Sequence, residues 1–283
     1  MRKALLTIFG ALLFLSGILL ATAQSLSADE ILREAAQIGP FSQDGGRLNV
    51  LTFTITDDDG TTVERSFAAI SKQEAAQPDK LLIYFLEPEL DRGTMFLAID
   101  PEDPTEKSKL WLYLSAFGQV KELVSDQDRN AGFGGSDLQN DQMSGGFDLS
   151  KDYSGQLVAE EQLSLRWLGQ EGARTVLKIA LTQRPGTDVD FPTASVWIDE
   201  ETFLIVKIAY NNTLDQVEQI IDMDDVIAFE GEVEPNVVTV RSVLKGGQTV
   251  ITLGERSKLD LADDVFSPEN LSGFEPEQYG LGI

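Results

Sequence analysis

The stretch LLIYFLEPELDRGTMFLAID, residues 81–100, holds two strand-length runs on either side of a Pro-containing turn, and neither run puts polar residues at every second position. Successive side chains of a strand point to opposite faces, so a sheet with one face in water alternates apolar and polar residues. Leu81 to Leu86 does not alternate, and neither do Leu110-Trp111-Leu112-Tyr113-Leu114 or Phe203-Leu204-Ile205-Val206. Both faces of these strands therefore call for apolar cover. In parallel α/β sheets helices supply it, but the periodicity of this chain predicts only one long helix. Two solutions remain open: a second packed sheet, or curvature of the sheet around a hollow that takes an apolar ligand. The polar tips of Tyr84, Trp111, Tyr113 and Trp197 suit the mouth of such a hollow.

On the N-terminal side, Ser27-Ala28-Asp29-Glu30 is a capping box, followed by Ile31, Leu32, Ala35, Ala36 and Ile38 at helical spacing and a Gly39-Pro40 stop. From Arg47 the period becomes two: RLNVLTFTIT, DDDG and TTVERSFAAI spell a hairpin around an Asp-Gly turn. Further strands are expected near Lys80–Phe85, Met95–Ile99, Leu110–Leu114, Gln119–Val124, Gln156–Trp167, Arg174–Thr182, Thr193–Ile198, Phe203–Tyr210, Gln216–Phe229, Val237–Leu244 and Thr249–Leu253. Many short strands joined by turns predict a large antiparallel meander rather than βαβ units. The Gly-, Asp-, Asn- and Ser-rich segment Ser125–Ser154 interrupts them as a long loop with one short helix near Asp137–Met143, a candidate lid.

The chain has 283 residues, with 22 Lys+Arg against 47 Asp+Glu and neither His nor Cys. Arg2-Lys3, the apolar Ala4–Leu20 and Ala21-Thr22-Ala23 read as a cleavable secretory leader over residues 1–23, which leaves residues 24–283 as one domain exported to the periplasm. A formal net charge of −25 repels phosphate backbones and anionic lipid surfaces, so nucleic acid is not expected as a partner. Without His or Cys the usual neutral-pH base, the thiol nucleophile and the commonest zinc ligands are missing, and no enzyme, cofactor or metal is expected. A carboxylate-pair glycosidase stays formally open, yet in so acidic a chain neighbouring carboxylates arise by chance. Asp126-x-Asp128-x-Asn130 imitates a calcium loop but has Ala131 where Gly is needed and Asp137 at the bidentate position. Gly132-Phe133-Gly134-Gly135-Ser136 lacks the Lys of a phosphate loop, and its glycines fit positive φ and loop motion instead.

Taken in order, the helix, the D-x-D-G hairpin, LLIYFLEPELDRGTMFLAID, KLWLYLSAFGQVKEL, AGFGGSD, SVWIDEETFLIVKI and DDVFSPENL resemble the bacterial outer-membrane lipoprotein-sorting proteins, the LolA/LolB-like group. The resemblance spans almost all of the chain after the leader. It implies a mainly β fold: one curved antiparallel sheet forming an unclosed β-barrel, with an N-terminal helix and short lid helices over an apolar concave side. It also implies a protein that carries or receives acyl chains of lipoproteins, or other lipids, in the periplasm; an inner-membrane transporter or an outer-membrane acceptor is the expected partner, and a monomer the expected state. A non-enzymatic envelope sensor or interaction module on the same scaffold is the alternative. The chain departs from the group at EAAQPDKLLIYF, where the carrier has R-P-x-x-x-R-W, and at Leu138 and Asn140, where an aromatic and a Tyr are usual. The expected lipid-facing residues are Leu82, Tyr84, Leu86, Phe96, Trp111, Tyr113, Trp197 and Phe203.

Overall fold

The computed structural model describes residues 26–39, 45–74, 77–101, 103, 106–144 and 148–281; the expected leader lies outside them. Thirteen strands form one curved sheet. They are β1 (Gly45–Thr56), β2 (Thr62–Gln73), β3 (Asp79–Glu87), β4 (Met95–Asp100), β5 (Lys109–Leu114), β6 (Gln119–Glu122), β7 (Tyr153–Trp167), β8 (Gln170–Gln183), β9 (Thr193–Asp199), β10 (Ile205–Asn211), β11 (Val217–Phe229), β12 (Glu232–Ser242) and β13 (Gln248–Leu259). Sequential neighbours pair antiparallel throughout β1–β6 and β7–β13, except that β6 leads into the segment that crosses the sheet rather than into β7. The two ends of the chain's β-structure meet where β13 pairs with β1. This is the antiparallel meander that the residue pattern predicts, with the curvature that the family resemblance implies.

Register sorts the side chains into two continuous faces. On one, Met223, Val238, Ile251 and Phe53 are successive cross-strand partners. The same face continues through Leu51, Phe67 and Phe85, and through Ile83, Phe96 and Leu112. These residues join one large apolar cluster with Ile31, Leu32 and Ala35 of helix α1 (Ala28–Ala35). The helix starts at the capping box seen in the sequence, with the Ser27 N–H donating to Glu30 Oε2 at 2.8 Å and the Glu30 N–H to Ser27 Oγ at 3.3 Å.

The opposite face of β1–β5 is equally apolar. Ala68, Ile70, Leu82, Tyr84, Met95 and Leu97 pack there beneath Leu261, Phe266, Leu271 and Leu281, which come from three 3-10 turns, Asp263–Phe266, Pro268–Gly273 and Pro276–Tyr279, and their flanks. Phe274 lies 5.6 Å from the Tyr84 ring and stacks on Tyr279 at 5.2 Å. Asp263 receives Lys72 at 2.8 Å and Lys80 at 2.9 Å. Among the described residues neither a second sheet nor an open hollow covers this side; a C-terminal strap does.

A third cluster belongs to the β7–β8 hairpin. A bulge between Leu157 and Ala159 changes which residues of β7 share a face, so Leu163, Leu165 and Trp167 pack with Val176, Trp197, Val206 and Ala209. The end of β7 reaches β11 through a single parallel pair, Trp167 with Val226. Strand limits differ from expectation in places. β13 runs to Leu259 rather than Leu253, and β10 begins at Ile205 because Phe203, at φ 59°, belongs to the preceding turn. That turn is organised by buried Asp199, whose carboxylate accepts from Thr202 N–H at 3.0 Å and from Arg174 at 2.8 and 2.9 Å.

Candidate functional site: the concave face and its plug

The segment between β6 and β7 carries α2 (Asp126–Arg129), α3 (Asn140–Ser144) and α4 (Leu149–Asp152) and lies over the first apolar face. Phe133, Leu138, Met143 and Leu149 point into the cluster. The Phe133 ring sits among four sheet phenylalanines, with centroids 5.9 Å from Phe53, 5.2 Å from Phe67, 5.6 Å from Phe85 and 5.4 Å from Phe96. Offset and edge contacts in this range each add to the burial term. The flanking glycines make the approach possible. A Cβ on Gly132 would stand 2.3 Å from the Ser136 carbonyl oxygen, and Gly134, at φ 56°, would press its Cβ to 3.1 Å from the Phe67 ring. The α3 helix falls near the expected Asp137–Met143 but starts three residues later.

Polar anchors hold this plug at both edges. The Asp137 carboxylate accepts from Ser242 Oγ at 2.8 Å and Thr249 Oγ1 at 2.9 Å, while its N–H donates to Thr249 Oγ1 at 3.0 Å. Buried Gln219 donates to the Asp137 carbonyl at 2.8 Å and accepts from Gln142 at 2.7 Å. On the other side Arg129 pairs with Asp141 and donates to the Ser108 carbonyl at 2.9 Å, and Lys151 reaches Asp100 at 2.6 Å. The adjoining helix α1 is tied down through Asp29, which accepts from the Gly155 N–H at 2.7 Å.

At that second edge, where the plug meets the β4–β5 and β8–β9 connections, lies a cavity of about 220 Å³. Its carboxyls are crowded. Burial first, and then the charges of Asp100 and Asp148, push Asp152 up to about 6 against the opposing pull of Lys151. Burial likewise raises Asp190 within the cavity wall and Asp79 close by.

The structure divides the eight expected lipid-facing residues. Phe96 and Phe203 belong to the plugged face. Leu82, Tyr84, Leu86, Trp111 and Tyr113 do not: they pack on the reverse side, under the C-terminal strap, because each takes the opposite phase of its strand. Trp197 sits in the hairpin cluster, its indole N–H donating to Glu161 at 2.8 Å and Lys178 lying 4.7 Å from its ring. The residues that do surround the plug, Phe53, Phe67, Phe85 and Ile83, were reachable only through cross-strand register. Phe133 carried a local signal, a large aromatic between glycines.

One curved antiparallel sheet, with a helix and the plug segment on its apolar side, places the chain among LolA-like folds. The chain is similar over 86% of its length to a DUF1329 family protein from Desulfovibrio piger, which it covers to 97% at TM-score 0.76 and 20% identity. It is similar over 87% of its length to a domain named for outer membrane lipoprotein sorting from Vibrio parahaemolyticus, covered to 98% at TM-score 0.72 and 17% identity. A LolA superfamily protein from Nitrosomonas europaea matches over 86% of this chain and 98% of its own, at TM-score 0.65 and 17% identity. At this level of identity the likeness establishes the fold. The chain belongs to the family described as "Uncharacterized protein", whose model matches residues 77–273. No curated protein matches it.

Proposed function

We propose that the protein is a non-catalytic periplasmic carrier that takes up acyl chains, of lipids or of acylated proteins, on the face now filled by Phe133, Leu138, Met143 and Leu149. The observation that carries this reading is the plug itself: four apolar side chains on a segment outside the sheet occupy the inside of the curve, held at the rims by polar contacts. An acyl chain entering as the plug withdraws gains about 0.8 kcal/mol per buried methylene. Much of that gain offsets the burial that the plug gives up, so uptake and release both stay easy. A donor at the inner membrane and an acceptor at the outer membrane are the partners this reading calls for. The folds of the sorting-protein neighbours support it.

The test locks the plug. The chain has no cysteine, so an Asp137→Cys, Ser242→Cys double variant introduces one addressable pair where Ser242 Oγ now meets Asp137 Oδ1 at 2.8 Å. The oxidised variant should not take up a dansyl fatty acid, and reduction should restore uptake to the wild-type level. Equal uptake in both redox states, or none by the wild type, overturns the proposal. Protein recovered from its own host and repeatedly free of lipid by native mass spectrometry would point to a sensor on the same scaffold.

A further inference from the structure

The cavity at the plug's edge has an apolar floor, with Leu149, Tyr153, Phe191 and Tyr210 among its walls, and the rings of Phe191 and Tyr210 stack at 4.9 Å. Seven carboxylates and three cationic side chains line it, so the balance rejects anions and draws cations. Most of these carboxylates have partners: Lys151 for Asp100 at 2.6 Å, Lys107 for Asp188 at 2.6 Å, Asn130 for Asp190 at 2.9 Å, and Arg129 for Asp141. Among the described residues several lining groups are left without one, Arg129 Nε and the Glu106 carboxylate among them, and two of these carry the site. Among the described residues the Asp152 carboxylate makes no hydrogen bond or ion pair. The Tyr210 side chain, 6% exposed, lines the same cavity, and its hydroxyl has no hydrogen-bond partner among the described residues. The hydroxyl opens on the cavity rather than being sealed within the core, so with the Asp152 carboxylate it offers acceptors that another molecule can complete.

We propose that this cavity binds an alkylammonium group, presented either as a lysine side chain of a polypeptide or as a free polyamine. An ammonium offers three donors and no acceptor, which matches an unpaired carboxylate and the acceptor lone pairs of a phenol. Its flexible methylene stem suits the apolar floor, and the stacked rings add cation–π attraction. Anionic lipid headgroups are the wrong sign for this rim. The site goes beyond acyl carriage and stands whether or not the concave face carries lipid.

Isothermal titration calorimetry on the full chain, in about 0.15 M salt to screen the diffuse field, tests it with two probes: spermidine, and the tripeptide Gly-Lys-Gly acetylated at its N-terminus and amidated at its C-terminus. One or both should bind at a single saturable site, and whichever does identifies the source. Asp152→Asn should weaken that binding about tenfold and Tyr210→Phe roughly fivefold, the scale of losing a charged and a neutral hydrogen bond. Glu171→Gln, at the far end of the β7–β8 hairpin, should leave it unchanged. Circular dichroism of the variants checks that they are folded. Saturation by neither probe, or an equal loss in Glu171→Gln and Asp152→Asn, overturns the proposal.

Discussion

On the proposed reading, Phe133 occupies the space that an acyl chain would need. Removing a fully buried phenylalanine from a rigid core costs about 3–5 kcal/mol, and Phe133 is 1% exposed among four other rings. If the ring competes with cargo, Phe133→Ala should lower the urea midpoint and yet tighten binding of a dansyl fatty acid. Phe53→Ala, on the sheet itself, should weaken both. Urea titration and fluorescence on the two variants decide the matter, and binding by Phe133→Ala no tighter than by the wild type would show that the ring does not compete. The sequence exposed part of this. Gly132-Phe133-Gly134 reads as glycine-dense loop rather than as a ligand loop, and of the eight residues expected to face lipid Phe96 and Phe203 share the face that the plug covers. The remaining six lie in the strap and hairpin clusters, and a strand buried on both sides carries no phase: Leu82 and Ile83 are each 0% exposed, so pattern alone cannot say which faces the plug.

Elements show the same division between what local pattern reveals and what only assembly decides. The capping box, the Asp-Gly hairpin and the strand series were legible because each rests on contacts within a few residues. The strap was not. Leu261, Phe266, Leu271, Phe274 and Leu281 recur at neither the period of a strand nor that of a helix, because three short 3-10 turns with irregular links place them. The strap nevertheless answers why β3 is apolar on both faces. Leu271, 1% exposed beneath it, is expected to cost about 2–4 kcal/mol when replaced by Ala, the range for a truncated core leucine. Because the strap and the plug lie on opposite faces of the sheet, Leu271→Ala should leave affinity for the acyl probe within twofold of wild type at temperatures where the protein is folded. Thermal unfolding beside the fluorescence titration checks both halves, and a loss of probe affinity in the folded variant would mean that the two faces are coupled.

At the scale of the whole molecule the acid excess governs how stability answers pH. Most carboxylates in folded proteins are stabilised in the charged form, so acid usually unfolds. Here the buried carboxyls beside the plug run the other way. Asp152 holds its proton up to about 6 rather than the ordinary 3.8, and burial also raises Asp79 and Asp190. Between those two values the folded chain binds more protons than the unfolded one, so stability falls as pH rises through the window and is greatest at its lower end. Asp263 acts oppositely: Lys72 and Lys80 hold it near 2, so its contribution is present above about 4 and lost as pH falls toward 2. The two trends meet in mildly acidic solution, where partial protonation also relieves the self-repulsion of a chain with formal charge −25. Scanning calorimetry should therefore place the highest Tm near pH 5, above its value at pH 7.5, with a decline below pH 4. Asp152 keeps some contact with water, which reduces its share to about 1 kcal/mol, so Asp152→Asn should raise Tm at pH 7.5 by roughly 2–4 °C and flatten the rise toward pH 5. A Tm that falls steadily from pH 7.5 to 5 in the wild type would mean that those carboxyls do not hold their protons in the folded state.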